Sequence, residues 1–136
     1  MQPSHAAAAA HAILTRLSEA LAQGDYPAAT SLFAEECYWR DLLAFTWTIR
    51  TMEDRPAIAA MLAACTARTA PQGWALDPAH PATESDGVIM AWFRFETAVG
   101  RGWGMMRLRD GQIWTLATAL DELKGHEEPL GAHRPL

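Results

Sequence analysis

The chain has 136 residues, half of them apolar and a fifth charged, with a formal net charge of −5. These numbers describe one globular domain large enough to bury a core. The mild acidity and the lack of any Lys/Arg run argue against a nucleic-acid surface, and no stretch reaches the ~18 apolar residues of a membrane span. Cys37 and Cys65 stand in no metal-ligand spacing, so reduced core thiols of a cytoplasmic protein are expected. No basic residue precedes Arg16, so the charged start of a secretory signal is missing.

Ser4 is placed to cap a first helix through the alanine run, with Ile13, Leu14, Leu17 and Leu21 at helical spacing. Gly24 ends it, Asp25 caps a short second helix, and Pro27 sits in its first turn. Cys37 to Leu43 reads as a strand, whose alternation puts Cys37, Trp39 and Asp41 on one face. Phe45 to Met52 reads as a second strand, with Trp47 and Ile49 on one side. Asp54 then caps a third helix, with Ile58, Met61, Leu62 and Cys65 as its apolar stripe.

The remainder reads as β. Pro78 and Pro81 predict an irregular or edge strand between Gly73 and Thr83. Val88 to Thr97 has the clearest alternation. Ile89, Ala91, Phe93 and Phe95 form an apolar face, while Val88, Met90, Trp92, Arg94 and Glu96 form a mixed one that a partner or solvent would meet. A turn over Ala98–Gly102 leads to a strand Trp103–Arg109, and Asp110–Gly111 turns into a strand Ile113–Leu120. The domain is expected over residues 1–124. Residues 125–136, KGHEEPLGAHRPL with its first Lys as the domain's last residue, are expected to be a Pro/Gly-rich tail or linker.

The run LAQGDYPAATSLFAEECYWRD, Leu21 to Asp41, is helix, break, short helix, then a strand carrying one acid. It resembles the start of nuclear transport factor 2-like domains, the superfamily of ketosteroid isomerases, scytalone dehydratases and SnoaL-like polyketide cyclases. The resemblance implies an α+β, cone-shaped, cystatin-like fold, with three N-terminal helices packed on a strongly bent, mainly antiparallel sheet. It also places Asp41 where ketosteroid isomerases keep their proton-shuttling aspartate. IRTMEDRPAI, FRFETAVGRG and the chain's last residues from Trp114 are similar to the N-terminal domain of a group of bacterial flavin-dependent monooxygenases. GRGWG falls in a hairpin rather than ahead of a helix, so the chain cannot bind FAD through a GxGxxG motif. No cofactor and no metal are expected.

Asp41 is the candidate general base, and Trp39 on its face would supply the apolar wall such a base needs. The ketosteroid isomerase mechanism also requires oxyanion donors. At the corresponding positions the resemblance puts Leu17 and, approximately, Met105, neither of which donates a hydrogen bond. The plainer role for Asp41 is to end a strand and accept turn N–H groups. None of the five histidines falls on a core-facing strand position; only His80, in the Pro-rich loop, is placed to join an Asp. The six tryptophans either line a cavity or fill the cone and seal an interface. Candidate ligand contacts are Leu17, Trp39, Trp47, Phe93, Phe95, Trp114 and Thr118, with Trp92 as an interface candidate.

Three readings stand open. The first is a cofactor-free, homodimeric module that binds a small apolar or aromatic molecule and acts with, or descends from, a flavin monooxygenase. The second is an isomerase, cyclase or dehydratase that uses Asp41. The third, a dimerisation domain, gains if the cone is filled by its own side chains. The homodimer is expected to form through the outer sheet face.

Overall fold

The computed structural model of the protein describes residues 4–125. Its elements are α1 (His5–Ala22), α2 (Tyr26–Ser31), β1 (Phe33–Leu42), β2 (Ile49–Glu53), α3 (Asp54–Thr69), β3 (Gln72–Leu76), β4 (Thr83–Ser85), β5 (Val88–Glu96), β6 (Gly100–Arg109) and β7 (Gln112–Leu123). The expected tail lies, after Gly125, outside the described residues. The three helix starts follow the sequence chemistry: Ser4 Oγ accepts from Ala7 N–H, Asp25 Oδ1 from Ala28 N–H and Asp54 Oδ1 from Ala57 N–H. Gly24 ends α1 with a φ of 67°, which a residue with a Cβ adopts only at a cost.

One sheet carries the strands in the order β2-β1-β7-β6-β5-β3, with β4 pairing to β5. All pairs are antiparallel except β1 with β7. The helices lie against one face: α1 meets β3, β4 and β5, and α3 meets β1 and β2. This is the α+β arrangement of helices on one side of a bent sheet. No helix among the described residues is long and apolar enough to cross a membrane.

The strand faces follow the alternation. Cys37, Trp39 and Asp41 are buried on β1, and Ile89, Ala91, Phe93 and Phe95 are buried on β5. Three segments depart from the sequence reading. The expected strand Phe45–Met52 begins only at Ile49, because residues 43–48 form a loop. The β5–β6 turn is tighter than expected, and the strand resumes at Gly100. Its glycines belong to the sheet for a steric reason. Gly102 and Gly104 sit opposite Phe95 and Phe93, and the phenyl rings lie over the glycine backbone. A Cβ on Gly102 would stand 2.6 Å from Phe95 Cζ, and one on Gly104 would overlap the Phe93 ring. Third, a bulge in β7 shifts the register between Leu108–Ile113 and Arg107–Thr115. Ile113, Leu116 and Thr118 point inward, and Trp114 does not.

Gly104→Ala is therefore expected to cost about 1–3 kcal/mol, since the ring has no free volume to move into. Thermal unfolding should show a drop of several degrees in Tm. Adding Phe93→Ala should make the two effects clearly non-additive. An unchanged Tm in Gly104→Ala would contradict this packing.

Candidate functional site

Asp41 is the last residue but one of β1, with its side chain completely buried, at 0% exposure. A carboxylate removed from water must be met by donors or carry a large desolvation cost. Four donors meet it. Phe45 N–H, Thr46 N–H and the Thr46 hydroxyl reach Oδ2 at 2.9, 2.8 and 3.0 Å, and the Thr118 hydroxyl donates to Oδ1 at 2.6 Å. Thr118 in turn accepts from Trp39 Nε1 at 2.8 Å. The chain from indole to hydroxyl to carboxylate ties β1 to β7 inside the core. It also accounts for the missing strand, because the carboxylate takes the N–H groups of Phe45 and Thr46 that a ladder would need. Leu43 and Trp47 take left-handed backbone to allow it, with φ of 72° and 61°.

The remaining interior is aromatic and full. Trp39 stacks on Phe33 at 6.0 Å and meets Phe45 edge-on at 5.1 Å. Phe45 touches Phe95, which stacks on Trp74 at 4.9 Å, and Trp74 reaches Phe93. Leu17, Trp39, Phe93, Phe95 and Thr118 each expose at most 1% of their surface. A void large enough for water beside them would leave them accessible, so these candidates form packed core. Trp39 and Thr118 are linked to Asp41, and Phe93 lies beside Phe95 in the same core. The other two do not join them. Trp47 is 45% exposed in the loop after β1. Trp114 lies on the outer side of the β7 bulge, 4.1 Å beneath the Arg109 guanidinium. Of the two positions weighed as oxyanion donors, Leu17 is in the core, while Met105 pairs with Trp92 on the outer face and Met106 takes the interior.

An open concavity is on the other side of the sheet, and smaller ones lie beside α1 and α3. A groove of about 760 Å³ runs between the β3–β4 loop and the outer face of β5 and β6. Its polar and aromatic lining includes Asp77, His80, Trp92, Arg94, Arg101 and Trp103. The indoles of Trp92 and Trp103 are 5.6 Å apart and tilted by 44°, and the His80 ring lies 5.6 Å from Trp92. His80 Nδ1 is 3.0 Å from Asp77 Oδ2, and Arg94 is 3.6 Å from Asp77 Oδ1. The Asp77 carboxyl is held below its ordinary range, first by the hydrogen bond to His80, then by Ala79 N–H and the Arg94 charge. Sequence alternation assigns Trp92 and Arg94 to this face, but the pairing of Trp92 with Trp103 depends on the hairpin register. The Asp77–His80 contact depends on the loop path between Pro78 and Pro81.

Elsewhere, burial pushes the Cys37 thiol up, with Arg55 opposing, so this cysteine is an inert core group. No cluster of metal-ligating side chains occurs among the described residues.

A SnoaL-like domain model matches residues 14–116. No curated protein matches the chain. Several solved structures are similar to it. A ketosteroid isomerase-like protein of Erwinia carotovora atroseptica superposes with a TM-score of 0.70 at 9% identity, over 88% of this chain and 98% of that one. A Nostoc punctiforme domain with a cystatin-like fold gives 0.68 at 14%, over 88% and 80%. A proposed polyketide cyclase of Xanthomonas campestris pv. campestris gives 0.60 at 19%, over 85% and 93%. These likenesses establish the cystatin-like, nuclear transport factor 2-like fold.

If the Asp41 network is structural, breaking it must cost stability. Thr118→Val leaves the Trp39 N–H and one carboxylate oxygen without a partner and should lose about 1–3 kcal/mol. Asp41→Asn should lose about 3–5 kcal/mol, because donors then face an amide that cannot accept from all of them. Urea unfolding measures both. An Asp41→Asn protein as stable as the wild type would show that the carboxylate is not holding the loop.

Proposed function

The chain belongs to the SnoaL-like domain family, and we propose that it serves there as a cofactor-free binding module whose ligand sits in the outer groove. The observation that carries this reading is the contrast between the two faces of the sheet. The interior is occupied by its own aromatic side chains, while the groove beside Trp92 and Trp103 is open, within the size range of small-molecule sites, and rimmed by polar groups. A small, flat molecule stacks on the indoles there. The alternative reading, proton transfer by Asp41, has less support. Its carboxylate already accepts from four donors and has no exposed surface, whereas a general base needs its lone pair within reach of a substrate proton. The similarity to N-terminal domains of flavin monooxygenases favours a place beside such an enzyme, as an accessory that holds an aromatic compound.

A second copy of the chain fits the rest of the outer face. One row across the sheet reads Ile49, Leu42, Ala119, Trp103, and the next reads Thr51, Arg40, Ala117, Met105. The helices cover only the opposite face, and the small side chains on central β7 leave a shallow saddle. An apolar sheet face of this kind calls for cover. The homodimer seats on β2, β1 and β7, with the groove at its margin.

Titration with 2-naphthol should quench tryptophan fluorescence in the wild type and in Trp39→Phe, but with at least a severalfold weaker affinity in Trp92→Leu. Loss of binding in Trp39→Phe alone would return the site to the interior. Light scattering should give twice the monomer mass for the wild type, and Ala117→Glu, a charge in the middle of the saddle, should give a monomer. A monomeric wild type at micromolar concentration would refute the dimer.

A further inference from the structure

Resting on the groove as the ligand site, we propose that it selects organic cations: an ammonium group, tertiary or quaternary, attached to a flat or alkyl body. The charge inventory of the lining points this way. Among the described residues, four carboxylates line the groove, from Asp77, Glu96, Asp121 and Glu122, against two guanidiniums, Arg94 and Arg101, and the His80 imidazole. Lys124, at 3.1 Å from Glu96, adds a third cation at the rim. Among the described residues, that sets four acids against the three side chains Arg94, Arg101 and Lys124.

The pairing of these groups identifies the uncommitted acid. Asp77 is engaged by His80 and Arg94, Glu122 by Arg101 at 3.0 Å, and Glu96 by Lys124. Asp121 is the one carboxylate of the four with no ion pair or hydrogen bond among the described residues. It is the residue displaced by the register shift between Arg101–Glu122 and Gly102–Leu120, which leaves it without a cross-strand partner. The cations of the groove, by contrast, each already face an acid. An anionic ligand would have to compete with Asp77 and Glu122 for them, while a cationic one meets an uncommitted carboxylate.

The aromatic part of the groove asks for the same chemistry. Trp92 and Trp103 stand as a V, 5.6 Å between centroids at 44°, so a cation in its mouth faces two indole π-systems. Trp103 is 41% exposed. The His80 ring lies beside Trp92, 5.6 Å between centroids. Indole is the best of the side-chain partners for a cation. The outer sheet face already contains one such contact, Arg109 over Trp114. The volume of about 760 Å³ takes a body larger than the ammonium group alone.

The test compares three probes of one shape class by calorimetry: benzyltrimethylammonium, neutral benzyl alcohol and anionic benzenesulfonate. The cation should bind about tenfold tighter than the alcohol, and the sulfonate weakest. Trp103→Leu should weaken the cation about tenfold and Asp121→Asn about threefold. Both side chains are exposed, so both variants keep the fold. Equal binding of cation and alcohol, or tightest binding of the sulfonate, overturns the cation assignment but leaves the groove as the ligand site. If none of the three binds, the groove reading falls with it. A cation that binds unchanged to Trp103→Leu places the site elsewhere and also overturns the assignment.

Discussion

A charge buried at the end of β1 organises this domain. The Asp41 carboxylate has no contact with water, and its solvation is replaced by two backbone N–H groups and two hydroxyls. Meeting that demand fixes the path of residues 43–48, including two left-handed backbone positions that only a well-determined loop sustains. Once the path is set, Phe45 enters the core edge-on to Trp39, while Trp47 is turned out to solvent. Arg68, from the last turn of α3, donates to Phe45 O at 3.1 Å and secures the same loop from the helix side. Because Thr118 answers both Asp41 and Trp39, the parallel β1–β7 pair is locked by side chains as well as by its ladder.

On the proposed reading, the consequence for function is a reversal of sides. On this fold a pocket is expected on the concave face, beneath the helices. Here the concave face holds a connected set of aromatic rings, and two glycines on β6 let Phe93 and Phe95 lie flat against the sheet. The mixed face has the opposite character. It carries half-buried and exposed indoles, paired charges and a concavity, the ingredients of a recognition surface. A filled core gives rigidity, and on the proposed reading rigidity on one side keeps the groove on the other preorganised for a ligand.

Much of this was legible in the chain. The caps Ser4, Asp25 and Asp54 state their own helix starts, and strict alternation on β5 separates the inner Phe93 and Phe95 from the outer Trp92 and Arg94. The structure displays the acceptance of turn N–H groups foreseen for Asp41. What the sequence hid depends on single-residue slips. Alternation counted back from Thr118 places Trp114 inside, but one bulge residue puts it under Arg109. GRGWG reads as a turn because glycines favour turns, yet all three of its glycines are strand residues, and Gly102 and Gly104 leave the room that the Phe95 and Phe93 rings fill. The groove required the β5–β6 register and the path of the Pro78–Pro81 loop together, and neither follows from local patterns.

The central claim is that ligand recognition happens outside the packed cone. The six indole N–H resonances report on this directly, since Trp39 lies beside Asp41 and Trp92 and Trp103 flank the groove. On titration with an aromatic probe, the account predicts that the Trp92 and Trp103 signals move while that of Trp39, donated to Thr118, stays fixed. Movement of the Trp39 signal with Trp92 and Trp103 unchanged would contradict it.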